Sequence, residues 1–304
     1  MNTLKYHFRR FLQITAKKQD QELFLMGQLL TRAIESNKFE TLREYGFKVY
    51  SQWDEDGIIQ YLIKKIPIEN KIFVEFGVEN YEESNTRFLL KNNDWTGLVI
   101  DGNKKNIDFI RSDHIYWQHT LEAVHSFITR ENINATISKH IQKEDIGILS
   151  VDIDGNDYWI WKEINCIKPA IVIAEFNNLF GKDLAVTVPY KEDFYRTKEH
   201  FSNLYFGCSL KALIHLAAQK NYVFVGCNSK CMNAFFVRKD LSNYIEEKSI
   251  EQEFNFTTIR ESKSAEGKLN FMSDRTAQLK LMGDKLLYNV ESGKLETIES
   301  LFLV

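Results

Sequence analysis

Apolar and polar residues follow one another with a period that changes along the chain, and those changes divide it into three. Over residues 1–45 apolar positions recur at helical spacing: Leu4, Phe8, Phe11 and Leu12, then Leu23, Met26, Leu29 and Leu30. From Phe47 to Asn243 short apolar runs of strand length alternate with amphipathic stretches. Asp56 to Ile66 reads as a helix that Pro67 helps to end. An apolar run Ile72-Phe-Val74 stops at Glu75, a helical pattern runs through Arg87 to Leu90, and a second run, Gly97 to Ile100, stops at Asp101. Ile115-Tyr-Trp117 reads as a short third strand, followed by two helical stretches over Leu121 to Ile141. A buried strand, Ile146 to Val151, ends at Asp152; a helix covers Tyr158 to Ile164; and a strand from Ala170 to Ala174 ends at Glu175. Residues 177–206 have little periodicity and many aromatics, and unpatterned stretches of that length are usually functional or mobile. A helix over Ser209–Gln219 then leads to a strand pair, Tyr222–Val225 and Ala234–Val237. From Glu246 to Val304 the pattern breaks into short pieces, which reads as an appended region of mixed structure.

Strands alternating with helices predict an α/β domain with a mainly parallel sheet and helices on both faces. Its expected bounds are residues 47–245, between a helical extension at 1–46 and a C-terminal extension at 246–304. Composition adds little to this picture. With 44% apolar residues, 27% charged and three prolines in 304, disordered and fibrous classes fit poorly. A net charge of −3 gives no general reason to expect nucleic acid. The four cysteines lack paired metal spacing, Cys227-x3-Cys231 alone being a weak signal, so they read as reduced structural thiols. No apolar run approaches the roughly 18 residues of a membrane span, and no signal-peptide core follows the start; a cytoplasmic protein is expected. Lys5, Arg9, Arg10, Lys17 and Lys18 make the first helical segment basic. It reads either as an extension packing on the body or on a second subunit, or as an interfacial helix touching anionic membrane.

Ligands of open α/β sheets bind beyond the carboxyl ends of the strands, where this chain places Glu75, Asp101, Asp152 and Glu175. A dinucleotide needs a glycine-rich turn and a helix N-terminus to receive its diphosphate. Here the first turn has one glycine, Gly77, and three carboxylates, Glu79, Glu82 and Glu83, which would repel phosphate. S-adenosylmethionine has no phosphate and carries a sulfonium cation, so an acidic rim is acceptable to it. Gly77 lets the backbone approach a ligand closely, and Asp101 stands where a carboxylate can accept from both ribose hydroxyls. A glycine turn and a strand-end Asp with no ligand form the plainer alternative. In Ser51-Gln-Trp-Asp-Glu-Asp-Gly57, Ser51 or Asp54 caps the next helix, or Ser51, Gln52 and Asp56 hold the methionine end of the cofactor. His119, expected just beyond the third strand, is a candidate neighbour of the adenine, with a packing role as its alternative. Asp152, Asp154 and Glu175 should converge where an acceptor meets the cofactor. Clustered carboxylates bind a cation, raise a pKa so that one acts as a base, or pair with Lys and Arg. Asp154, Glu175 and Asn177 offer oxygen ligands suited to Mg²⁺ or a similar hard ion. Strand-end capping and loop hydrogen bonding is the alternative.

At these residues the chain resembles a known family. Phe73-Val-Glu-Phe-Gly77, Gly97-Leu-Val-Ile-Asp-Gly102, Ser150-Val-Asp-Ile-Asp-Gly-Asn-Asp-Tyr-Trp159 and Val225-Gly-Cys-Asn-Ser229 with Asn233-Ala-Phe-Phe-Val-Arg238 look like class I S-adenosylmethionine-dependent methyltransferases of the FkbM-like group. Ser51 to Gly57 matches the segment such proteins carry ahead of their first strand, and the resemblance spans about residues 47–243. It implies a Rossmann-like seven-stranded mostly parallel sheet with an antiparallel last strand, and methylation most often of an oxygen on a sugar or secondary metabolite. A carbohydrate or phosphoryl-linked group of a capsule or lipopolysaccharide precursor is the acceptor it favours. Cofactor contacts are then expected from Glu75, Gly77, Asp101, Gly102, Asn103 and Asp152 as well as from the 51–57 segment. The family's first turn usually holds a second glycine, where Glu79-Asn80 stands here. Two other functions compete: a nicotinamide-dependent oxidoreductase on the same sheet, and a non-catalytic scaffold in glycan assembly.

Overall fold

Seven strands form one sheet in the order β3-β2-β1-β4-β5-β8-β7. They are β1 Ile72–Phe76, β2 Thr96–Asp101, β3 Leu121–His125, β4 Asp145–Val151, β5 Lys168–Glu175, β7 Tyr222–Cys227 and β8 Asn233–Arg238. β1 to β5 run parallel, and β8 lies antiparallel between β5 and β7. This is the Rossmann-like arrangement, with seven strands and an antiparallel last strand. The structure, a computed structural model, describes residues 2–258 and 260–303; the side chains at 2–4, 9, 12, 13, 16 and 35 lie outside the described set. The expected apolar positions Leu4 and Leu12 and the basic Arg9 therefore lie outside the described side chains.

The central strands are apolar on both faces because helices cover both. On one side Val74, Leu149 and Val172 pack with Ile137, Tyr158, Trp161 and Leu213 of the helices Ile133–His140, Asp157–Glu163 and Leu210–Gln219. On the other, Phe73, Val99, Ile148 and Ile171 pack with Ile58, Leu62, Leu90 and Ile107 of the helices Glu55–Lys65, Arg87–Asn93 and Lys104–Ser112. Trp161 is fully buried between the rings of Tyr222 and Phe236, with centroids 6.0 and 5.0 Å away. Removing a side chain of that size typically costs 3–5 kcal/mol.

The third strand is not where the apolar run Ile115-Tyr-Trp117 predicts it. Those residues lie in a short helix, His114–Gln118, capped by Asp113, whose Oδ1 accepts from Ile115 N at 2.9 Å. The strand is Leu121–His125, and a single helix, Ile133–His140, occupies the remainder of the stretch read as two. The reason is that β3 is an edge strand. It buries Leu121 and Ala123 while Glu122 and His125 face outward, so it lacks the continuous apolar run of its buried neighbours.

The unpatterned stretch 177–206 is not free of structure. It contributes β6, Val186–Thr187, which pairs antiparallel with β9, Leu286–Asn289, and β9 pairs with β10, Leu295–Thr297. Around this small sheet Phe180, Phe194, Leu204 and Phe206 pack against Leu279, Met282, Leu287 and Ile298. The aromatics that break the local pattern thus form a core with the chain's last sixty residues. At the other end Asn2–Glu35 is one helix of 34 residues, docked on the body by its C-terminal half. Phe24 lies edge-on to Phe88, with centroids 5.9 Å apart, and Gly27 fits against Val49 and Phe88, where an added Cβ would come within 2.6 Å.

Candidate functional site

Parallel register places the ends of β1, β2, β4 and β5 on one edge of the sheet, so Glu75, Asp101, Asp152 and Glu175 border a common cavity of about 470 Å³. Sheet order reverses on either side of β1, which opens the crevice there. Gly77, just past β1, has φ +69°, and an added Cβ would stand 1.7 Å from the Asp152 carbonyl oxygen. Only glycine permits that approach. The turn continues with Glu79 at φ +47° and Tyr81 at φ +64°, so side-chain-bearing residues adopt the left-handed conformation. Tyr81 holds this turn in place: it is fully buried, its hydroxyl lies 2.9 Å from Thr86 Oγ1, and its carbonyl accepts from Arg87 Nη1 at 2.9 Å.

Glu75 turns inward across this turn. Its Oε1 accepts from Asn85 N at 2.9 Å; its Oε2 accepts from Thr86 N at 3.2 Å and from the Thr86 hydroxyl. These amides lead into the helix Arg87–Asn93, which is the position where a nucleotide-binding fold receives phosphate. Here the slot is filled by the protein's own carboxylate. Burial outweighs the three hydrogen bonds and pushes the Glu75 carboxyl up to about 7.

Asp101 ends β2 and braces the rim. Its Oδ2 accepts from Glu79 N at 2.9 Å, and its Oδ1 accepts from Asn103 N at 2.7 Å and Asn106 Nδ2 at 3.0 Å. Gly102 and Asn103 line the cavity beside it. Against Gly102 lies Phe127, which stacks on Tyr195 with centroids 5.2 Å apart and planes 26° from parallel.

The acidic cluster lies at the ends of β4 and β5. One carboxylate oxygen from each of Asp152, Asp154 and Glu175 falls within 4.8 Å of the other two. Asp157 shapes the loop that carries the first two, accepting from Ile153 N at 2.7 Å and Gly155 N at 2.9 Å, and Asp154 takes φ +56°. Burial pushes the Asp157 carboxyl up to about 6 despite those bonds. Asp152 and Glu175 are both raised well above the carboxylate range, by burial first and then by the charges of neighbouring carboxylates. Glu175 is 6% exposed, and its Oε2 has no hydrogen-bond partner. Two carboxylates in this position share a proton or hold a cation. Among the described residues lining the cavity eight carboxylates face one cation, Arg196. Arg196 is already committed: Nη1 donates to Asp154 Oδ1 at 2.7 Å, Nη2 to Glu261, and Nε to Asn203 O at 2.7 Å, with Phe206 beneath the guanidinium.

Of the residues expected to form the site, Gln52, Glu75, Gly77, Asp101, Gly102, Asn103, Asp152, Asp154 and Glu175 border the cavity. Ser51 and Asp56 lie behind it. Asp56 Oδ2 accepts from the amides of Val49, Tyr50 and Ser51 at 2.6–2.9 Å and so fixes the backbone that leads to Gln52. Burial lifts that carboxyl to about 6. His119 lies at the opposite edge of the sheet, because it precedes β3 instead of following it, and its Nδ1 is 4.0 Å from Asp94. Ser126, Phe127 and Ile128 take the expected place beyond β3. Asn177 is also apart from the cluster: Nδ2 donates to the carbonyls of Leu204 and Phe206 at 2.9 and 3.0 Å, while Oδ1 accepts from Leu179 N. Phe194, Tyr195, Arg196 and Glu261 are lining residues that periodicity does not reveal. The aromatic density of 177–206 is the one local signal that pointed toward the first three.

No protein-family model matches the chain, and no curated protein matches it. Solved structures similar to it include M. capricolum TrmK in complex with S-adenosyl-homocysteine, at 12% identity and TM-score 0.34, covering 59% of this chain and 65% of that one. The N-terminal domain of EvdMO1 with S-adenosyl-homocysteine bound is 10% identical at TM-score 0.39, covering 69% and 94%. An O-methyltransferase from Bacillus cereus, also in complex with S-adenosyl-homocysteine, is 11% identical at TM-score 0.36, covering 71% and 89%. The chain thus spans just under two thirds of TrmK. Likeness at these scores carries no argument about this chain; the fold rests on the order and direction of its own strands.

Proposed function

We propose that the chain is an S-adenosylmethionine-dependent methyltransferase acting on a hydroxyl oxygen of a carbohydrate, in the preparation of a surface polysaccharide such as capsule or lipopolysaccharide. The observation that carries the cofactor half is Glu75. By occupying the amides ahead of the first crossover helix it denies a dinucleotide the place for its diphosphate. What remains is a glycine turn, a strand-end Asp101 and a rim rich in carboxylates, a donor set that fits a cationic, phosphate-free ligand. Asp101, Gly102 and Asn103 would hold its nucleoside side; Gln52, Gly77 and Asp152 its charged amino-acid side. Ser51 and Asp56 serve at one remove, through the backbone they fix. When bound, that cofactor supplies an electrophilic methyl group.

The acceptor side belongs to Asp152, Asp154 and Glu175. Glu175 Oε2, buried and unpartnered, is placed to take the proton of an acceptor hydroxyl, and burial beside the neighbouring carboxylates raises the proton affinity of the Asp152–Glu175 pair, which strengthens it as a base. The three carboxylates also fit a hard divalent cation, which would displace the shared proton and weaken the acceptor's hold on its own. Arg196 spends its donors on Asp154, Glu261 and Asn203, so a phosphoryl group on the acceptor would have to lie outside the cavity. That favours a neutral sugar hydroxyl. The carbohydrate assignment itself rests on the motif resemblance.

Calorimetric titration with S-adenosylhomocysteine and, separately, NADH tests the reading. Binding of the first and not of the second is expected. Binding of NADH alone would favour an oxidoreductase, and binding of neither by folded protein would favour the scaffold.

A further inference from the structure

The N-terminal helix Asn2–Glu35 presents two faces to two environments. Asp20, Phe24, Gly27 and Gln28 meet the body: Asp20 accepts from Tyr50 Oη at 2.7 Å and Lys91 Nζ at 3.0 Å, and Gln28 Nε2 donates to Asn92 Oδ1 at 3.2 Å. At roughly 100° per residue these positions share one side of the helix. Phe8, Phe11, Met26, Leu29 and Leu30 fall on the other, and all are 41–64% exposed. An apolar stripe in two parts, Phe8 with Phe11 and Met26 with Leu29 and Leu30, therefore points away from the domain the 34-residue helix is attached to, and Thr15, Lys18, Gln19 and Glu22 separate the two parts on the same side. The first half of the same helix carries Lys5, Arg9, Arg10, Lys17 and Lys18 and no acidic residue before Asp20.

We propose that this helix lies in the surface of an anionic phospholipid bilayer, with the aromatic stripe among the acyl-chain ends and the basic residues among the headgroups. The arrangement combines the two signals that reversible membrane-surface attachment needs, inserted apolar area and electrostatic attraction. Because the stripe and the body occupy opposite sides of the helix, attachment leaves the α/β domain on the water side. The helix does not cross: among the described residues no helix is long and apolar enough to do so. A second copy of the chain fits the stripe less well. Parallel pairing would set five cations beside five more. Antiparallel pairing would need carboxylates opposite them, and residues 20–35 supply only Asp20, Glu22 and Glu35. Of these, Asp20 is taken by Lys91 and Tyr50, and Glu22 lies 3.9 Å from Lys18 of its own helix. A surface of many negative charges is the better complement. The inference stands apart from the methyltransferase reading, since it requires nothing of the cavity.

The test is co-sedimentation of the full chain with vesicles of phosphatidylcholine alone or with phosphatidylglycerol added. Binding is expected only to the anionic vesicles, with release at about 1 M salt, where the screening length falls to about 3 Å. Near an anionic surface each cation contributes about fivefold to affinity. Arg10→Ala with Lys17→Ala, both at exposed positions, should therefore weaken binding about 25-fold, and Phe8→Ala with Phe11→Ala should remove retention on washing. Absence of binding to anionic vesicles at low salt would overturn the proposal, as would equal binding by wild type and both double variants. So would a dimer in sedimentation equilibrium that ignores vesicles and that Phe11→Glu returns to monomer.

Discussion

Glu75→Gln probes whether the carboxylate filling the first helix's amide slot is held there against its own desolvation. In the folded chain this carboxyl has a pKa of about 7, against 4.5 for the ordinary group, because burial outweighs the donors from Asn85 and Thr86. A folded pKa above the unfolded one means that the native state holds the proton more tightly. Stability is then greatest below the unfolded pKa and falls as pH rises to the folded one. A gap of two to three units corresponds to about 3 kcal/mol, lost between about pH 4.5 and 7. Other raised groups, Asp56 and Asp157 among them, titrate in the same window, so the informative quantity is the difference between wild type and variant. Glutamine does not titrate. Its amide nitrogen faces the donors that the carboxylate served, a cost that does not vary with pH. Urea unfolding of both proteins at half-unit intervals should show the wild type losing about 3 kcal/mol relative to Glu75→Gln between pH 4.5 and 7.5. A difference that stays constant across that range would refute the reasoning.

Three further outcomes follow from the same geometry. Gly77→Ala places a Cβ in left-handed backbone and 1.7 Å from the Asp152 carbonyl; the conformation alone costs about 1–2 kcal/mol and the overlap more, so its urea midpoint should fall well below that of the control Val78→Ala. Asp101→Ala removes the acceptor of Glu79 N, Asn103 N and Asn106 Nδ2. With about 1.5–3 kcal/mol per charged hydrogen bond, S-adenosylhomocysteine affinity should fall at least tenfold by calorimetry. Asp154→Ala should abolish methyl transfer, followed with radiolabelled cofactor, while leaving cofactor affinity largely intact. Turnover indifferent to both that change and EDTA would remove the divalent cation from the reading.

How far local pattern reaches is plain from individual strands. β1, β2, β4 and β5 are buried on both faces, so each announces itself as a continuous apolar run, and each stops at a carboxylate visible in the chain. Parallel pairing then brings Glu75, Asp101, Asp152 and Glu175 to one edge without any long-range contact having to be known. β3, wet on one side, alternates its residues and was displaced onto Ile115–Trp117; that displacement carried His119 with it to the wrong end of the sheet.

The sequence by itself therefore determined the α/β alternation, the crevice and most of its carboxylates, because period and strand length are local consequences of burial. Only the tertiary structure decided what those carboxylates do. Glu75, on the cavity wall, commits its carboxylate to capping a helix entry ten residues on, and Asn177 spends its amide on Leu204 and Phe206. Arg196 is pinned between Asp154 and Glu261, 65 residues further along the chain. The small sheet of β6, β9 and β10 likewise joins the aromatic stretch to the C-terminal region. Such assignments depend on which groups meet in space and on how deeply burial penalises their charge, and neither is written in the period of a single segment.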